Sequence, residues 1–104
     1  MITLYIDTAK RETVIVGLEI DGKKYRKTVD NTQAQEVLPL IEKLLKEKKI
    51  KFNQINRIKV NTGPGSFTGL RVGVSIANAL SFTLKIPVNN KKVGEFVEAL
   101  YNKV

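Results

Sequence analysis

The sequence predicts an α/β domain built on a mixed sheet, and three observations lead there. Two β-rich segments, at 13–20 and 23–29, are separated only by Asp21-Gly22, a pair that favours positive φ at both positions and so a tight antiparallel hairpin. Two long segments with helical spacing of apolar residues, at 33–48 and Phe67–Leu84, alternate with short apolar runs at 55–61 and 86–88. A glycine-rich turn joins one of those runs directly to the second helix. Helices placed between strands imply right-handed crossovers, hence parallel pairs beside the antiparallel hairpin.

Residues 2–7 read as a buried strand, 13–20 as apolar and β-branched, and 23–29 as alternating polar. Asp30, Asn31 or Thr32 is placed to cap the next helix. That helix, 33–48, carries Val37, Leu38, Leu40, Ile41, Leu44 and Leu45 on one broad stripe. Pro39 inside it removes one hydrogen bond and predicts a kink or irregular first turns, and the lysines at its end suit the helix dipole. A fourth strand follows at 55–61, a helix from Phe67 or Thr68 to Leu84, a fifth strand at 86–88 and a third helix at 94–103. No repeat, low-complexity tract or linker interrupts this order, which suits one domain over 1–104.

Composition narrows the chemistry. A chain of 104 residues with 42% hydrophobic content supports one modest core. No run approaches the roughly 20 apolar residues of a membrane span, and no basic-then-apolar leader opens the chain. The absence of cysteine suits the cytoplasm. Without histidine or cysteine a zinc site is excluded, as are imidazole acid–base chemistry and Ser-His or Cys-His nucleophiles. The net charge of +8 favours acidic partners, RNA first among them, or simply keeps a small domain in solution. No aromatic residue is interleaved with the lysines as in single-strand binders.

The turn reads Gly63-Pro64-Gly65-Ser66-Phe67-Thr68-Gly69. Gly63, Gly65, Ser66, Thr68 and Gly69 either cradle a phosphate at a helix N-terminus or turn the chain sharply between strand and close-packed helix. Pro64 removes one N–H from such a cradle, and no Lys-Ser or Lys-Thr pair follows as in a Walker loop. Asp7, at the end of the first strand, is either a metal- and phosphate-associated aspartate or a cap of its own turn. A two-metal nuclease would need more carboxylates than Asp7 with Glu36 or Glu42, and the fourth strand ends in Asn61 and Thr62. The second helix is apolar around nearly its whole circumference, so it must be covered on more than one side: by the rest of the domain or by another chain. Gly73, Ser75 and Ala77 would admit a close backbone from a partner.

The string Gly63-Pro64-Gly65-Ser66-Phe67-Thr68-Gly69-Leu70-Arg71, followed by Val72 to Phe82, resembles the signature of the bacterial TsaB (YeaZ) family. The opening Ile2 to Ala9, the Leu38-Pro39 pair of the first helix and Ile86-Pro87-Val88 are similar to family segments in the same order. Gln33 and Glu36 stand where many relatives have His and Arg. The resemblance implies a ribonuclease-H-like lobe of the actin-like ATPase (ASKHA) type, with a five-stranded mixed sheet of order 3-2-1-4-5 and helices on both faces. It implies the first of two lobes, the second being absent. It implies a non-catalytic scaffold, without cofactor, that binds a TsaD-like threonylcarbamoyltransferase. A TsaE-like ATPase joins through the complex, tRNA is engaged indirectly, and no membrane is involved. Self-association as a homodimer would use the same helices. Interface residues are then expected at Val37, Ile41, Leu44, Arg71, Val74, Ser75, Asn78 and Phe82, and Asp7 becomes a degenerate nucleotide-site residue. Two other readings stay open: a small phosphate- or nucleotide-binding protein using the Gly63 to Gly69 loop, and a basic RNA-binding domain.

Overall fold

The computed structural model describes residues 1–30 and 36–100. Its strands are β1 (Ile2–Asp7), β2 (Thr13–Ile20), β3 (Lys23–Asp30) and β4 (Arg57–Val60); its helices are α1 (Val37–Glu47) and α2 (Phe67–Leu84). The sheet has four strands in the order β3-β2-β1-β4, with β1 antiparallel to β2 and parallel to β4. The hairpin forms as its turn chemistry dictates: Asp21 and Gly22 both take positive φ, at 49° and 87°.

Alternation then sorts the sheet into two faces. Leu4 and Ile6 lie beside Leu18 and Val16 on one side and Ile58 and Val60 on the other, and all six are buried. Both helices pack on this face. From α1, Val37, Leu40, Ile41, Leu44 and Leu45 recur at helical spacing and close over β2 and β3. From α2, Val74 and Ala77 reach the same core above β1 and β4. The expectation of helices on both faces is therefore corrected among the described residues. The opposite face, with Tyr5, Arg26 and Lys59 side by side, carries no helix.

Two further expectations change. The segment 86–88 is not a strand; it makes one isolated parallel bridge, Val88 to Ile58. Asn89 takes over where a fifth strand would continue. Its side-chain amide accepts from the Val60 N–H at 2.8 Å and donates to the Val60 carbonyl at 3.2 Å, while its own N–H reaches the Ile58 carbonyl at 2.8 Å. Nor is 94–100 helical. Gly94 sits at φ 93°, and only Val97 of that segment is buried, held by two hydrogen bonds to the Asn78 amide. The remainder of the expected third helix, 101–103, lies outside the described residues.

Pro39 does not break α1. It falls in the first turn, where the missing N–H has no intrahelical partner to lose. Asp30 belongs to β3 and does not cap α1, and Asn31, Thr32 and Gln33 lie outside the described residues. Two contacts tie β3 to the end of α1. The Lys48 ammonium stands 3.9 Å over the Tyr25 ring, and Lys27 pairs with Glu47 at 2.8 Å. The hydrogen bond from Lys27 holds the exposed Glu47 carboxyl below its ordinary range.

Candidate functional site

The glycine turn lies where β1, β4 and α2 converge. Ser66 caps α2: its side-chain oxygen accepts from the Gly69 N–H at 3.3 Å, and its own N–H is donated to the Ala9 carbonyl at 2.7 Å. Asn61 accepts from the Gly63 N–H at 2.9 Å. Several amides that a phosphate would need are thus already spent inside the protein. Asp7 lies at the rim, where its carboxylate accepts from the Ala9 N–H at 3.0 Å and the Asn61 amide at 3.2 Å. Thr68 is exposed at the start of the helix. A groove of about 620 Å³ runs past this point, lined by Thr8, Lys10, Arg11, Ser66, Val37 of α1 and Val72 of α2.

Glycine is required here because of what stands opposite. Gly65, Gly69 and Gly73 recur every four residues and face the end of β1 together. A Cβ on Gly65 would stand 2.7 Å from the Ala9 carbonyl oxygen; one on Gly69 would fall on the Thr8 carbonyl oxygen, and one on Gly73 on the Thr8 hydroxyl. The helix rides directly on the strand backbone.

Thr8, which the sequence did not single out, closes this joint. Its hydroxyl donates to the Gly69 carbonyl at 2.5 Å and accepts from the Gly73 N–H at 3.1 Å. Those two groups are four residues apart, the partners of an α-helical ladder, so a β1 side chain enters the hydrogen bonding of α2. Thr8 is 3% exposed, so losing the hydroxyl strands two desolvated groups. Thr8→Val is expected to lower stability by about 1–3 kcal/mol. Thr8→Ser, which keeps the oxygen, should cost less than half as much; comparable losses in urea melts would remove the hydroxyl from this role.

The residues expected at a partner interface divide by helix face. Val37, Ile41, Leu44 and Val74 are turned into the core, at 7% exposure or less. Gly73 and Ala77, expected to admit a partner backbone, are buried toward the sheet as well. Arg71, Ser75 and Phe82 face outward, and Asn78 is half-buried against Val97. The outer side of α2 forms a shallow groove of about 440 Å³ between Phe67, Arg71, Val72, Ser75 and Ile76. Phe67 and Phe82 are 57% and 61% exposed, and Leu38 of α1 adds an apolar side chain at 39%. By length and composition α2 could cross a membrane, but here Leu70, Gly73, Val74, Ala77 and Ser81 are buried in the domain.

Comparison with known proteins adds a family. The model for TsaD, described as tRNA N6-adenosine threonylcarbamoyltransferase, matches residues 26–90. A protein of Haemophilus influenzae named tRNA threonylcarbamoyladenosine biosynthesis protein TsaB is 36% identical over 82% of this chain and 36% of its own length. The protein of the same name from Buchnera aphidicola subsp. Acyrthosiphon pisum is 42% identical over 50% of this chain and 24% of its own. The solved structure of YeaZ from Pseudomonas aeruginosa superposes with a TM-score of 0.81 at 28% identity, over 88% of this chain and 45% of that one. The chain thus spans well under two thirds of the length of these relatives.

Proposed function

The chain belongs to the family that the TsaD model describes, as a relative of its TsaB (YeaZ) members, and from that premise we propose that it is a non-catalytic docking subunit for a TsaD-like threonylcarbamoyltransferase. The observation that carries the reading is the outer side of α2. An 18-residue helix rich in apolar side chains has only 28% of its residues buried. What remains is a stripe running from Phe67 past Ser75 to Phe82, flanked by Leu38. A single helix laid into that stripe would cover it, with Ser75 and Ala79 as the low points between larger neighbours.

This places the docking surface on α2 and the adjoining outer edge of α1, at Arg71, Ser75, Asn78 and Phe82. Val37, Ile41, Leu44 and Val74 act one layer beneath, by setting the helices on the sheet. The chain supplies no histidine or cysteine for chemistry, which supports a role through assembly. In this reading the partner performs group transfer to tRNA in the cytoplasm, and a TsaE-like ATPase meets the pair once formed. A homodimer through the same surface would compete with the partner.

Mixing the purified chain with a TsaD-type protein and measuring the mass of the product tests this directly. A stable complex containing both chains is expected. Two unassociated species at micromolar concentration would overturn the reading.

A further inference from the structure

The lysines that make this chain basic are concentrated at one end of the fold. Five of them fall between Lys43 and Lys51, in the last turns of α1 and the turn that follows. The backbone there doubles back. Lys49 takes a left-handed conformation at φ 58°, its N–H reaches the Lys46 carbonyl at 3.1 Å, and the Ile50 N–H reaches the Leu45 carbonyl at 2.9 Å. This reversal gathers Lys43, Lys46 and Lys51 around one groove of about 610 Å³, lined also by Ile50, Phe52 and Glu42. The nearby Glu47 is engaged by Lys27 at 2.8 Å and offers the groove little counter-charge.

A helix C-terminus attracts cations to its last turn, which accounts for Lys46 but not for lysines both before and after it. The large exposed apolar side chains near the second half of the fold, Phe67, Phe82, Phe96 and Leu100, do not line this groove, so it lacks the anchor that a lipid surface would need. Concave, cationic and without an exposed aromatic ring, it suits a phosphate backbone held by charge rather than bases held by stacking.

We propose that this lysine-lined groove binds the phosphate backbone of RNA. Naming that RNA as tRNA rests on the functional reading above; the groove itself does not. The contact adds a direct hold on the nucleic acid at a site separate from the outer side of α2.

The test is binding of unmodified tRNA to the purified chain between 50 and 200 mM salt. Two triple variants are compared: Lys43→Gln/Lys46→Gln/Lys51→Gln in the groove, and Lys85→Gln/Lys91→Gln/Lys92→Gln outside it. Each removes three charges from the same net +8, so bulk charge is matched. Three phosphate contacts predict that wild-type affinity falls by about 40-fold across that salt range. The groove triple should flatten the log–log salt slope by about 3 and the control triple should leave it near wild type. Equal losses in both triples, or no measurable binding by wild type, would overturn the proposal. So would tRNA binding unchanged by the groove triple, with binding to anionic phosphatidylserine vesicles or to the TsaD-type protein lost instead. The two readings fail separately: the groove triple should still capture the TsaD-type protein, and a chain that binds tRNA through the groove without capturing that protein would sink only the docking reading.

Discussion

Replacing Gly69 with valine is expected to leave the domain unfolded at room temperature. The new Cβ would coincide with the Thr8 carbonyl oxygen, a backbone atom that cannot swing aside as a side-chain tip can. Thr8 is itself pinned, because its hydroxyl is bonded to Gly69 and Gly73. Relief requires α2 to lift from β1, which breaks both hydrogen bonds and opens the core at Val74 and Ala77. Overpacking combined with stranded buried polar groups puts the loss at about 3–5 kcal/mol. A small domain holds a total of only about 5–15 kcal/mol, so this is most of what it has. Far-UV circular dichroism with a thermal melt reads the outcome. A Gly69→Val chain melting within a few degrees of wild type would show that helix and strand are not in the contact described.

The second large effect is on assembly. Ser75→Arg places a long cation at the low point of the outer groove on α2, where Arg71 already stands one turn away. Ser75 is exposed, so the free chain should fold normally. A charge desolvated at the centre of a helix-in-groove contact is expected to weaken capture of a TsaD-type protein by at least about 100-fold. Val74→Glu provides the contrast. Val74 is only 7% exposed and faces the sheet, so this substitution should damage the fold instead of the docking surface. Normal capture by a folded Ser75→Arg chain would place the interface elsewhere.

Local chemistry made much of this fold legible. The Asp21-Gly22 turn fixes the register of β2 on β3, and strict alternation then assigns the buried face of each strand. The two long helices were equally plain from spacing. The short apolar run at 86–88 was misleading because a strand depends on its neighbours: one bridge and the Asn89 amide satisfy the edge without it. The run from Val93 to Leu100 has helical spacing, yet Gly94 is left-handed and three of its four apolar side chains are exposed. Periodicity shows that a helix has an apolar side; it does not show what lies against that side. Hence Val74 and Ser75 looked equivalent in the sequence and are not in the fold. Thr8 was invisible for a related reason, since its partners lie more than 60 residues away. The four-residue spacing of Gly65, Gly69 and Gly73 was the one available sign that α2 rests on a backbone.

The Asn89 amide has a bearing on how copies of this chain behave in concentrated solution. Open sheet edges invite strand-by-strand growth into insoluble assemblies. On β4, the outward groups of Ile58 and Val60 are already taken by Pro87 and Asn89, so an incoming strand finds no ladder to extend. The other edge, β3, is open but carries Lys23, Lys24, Arg26 and Lys27. Two such edges meeting would bring like charges together along their length. Uncontrolled polymerisation is therefore blocked by occupancy on one side and by repulsion on the other, which leaves the chain free to keep a helix surface apolar for an intended encounter.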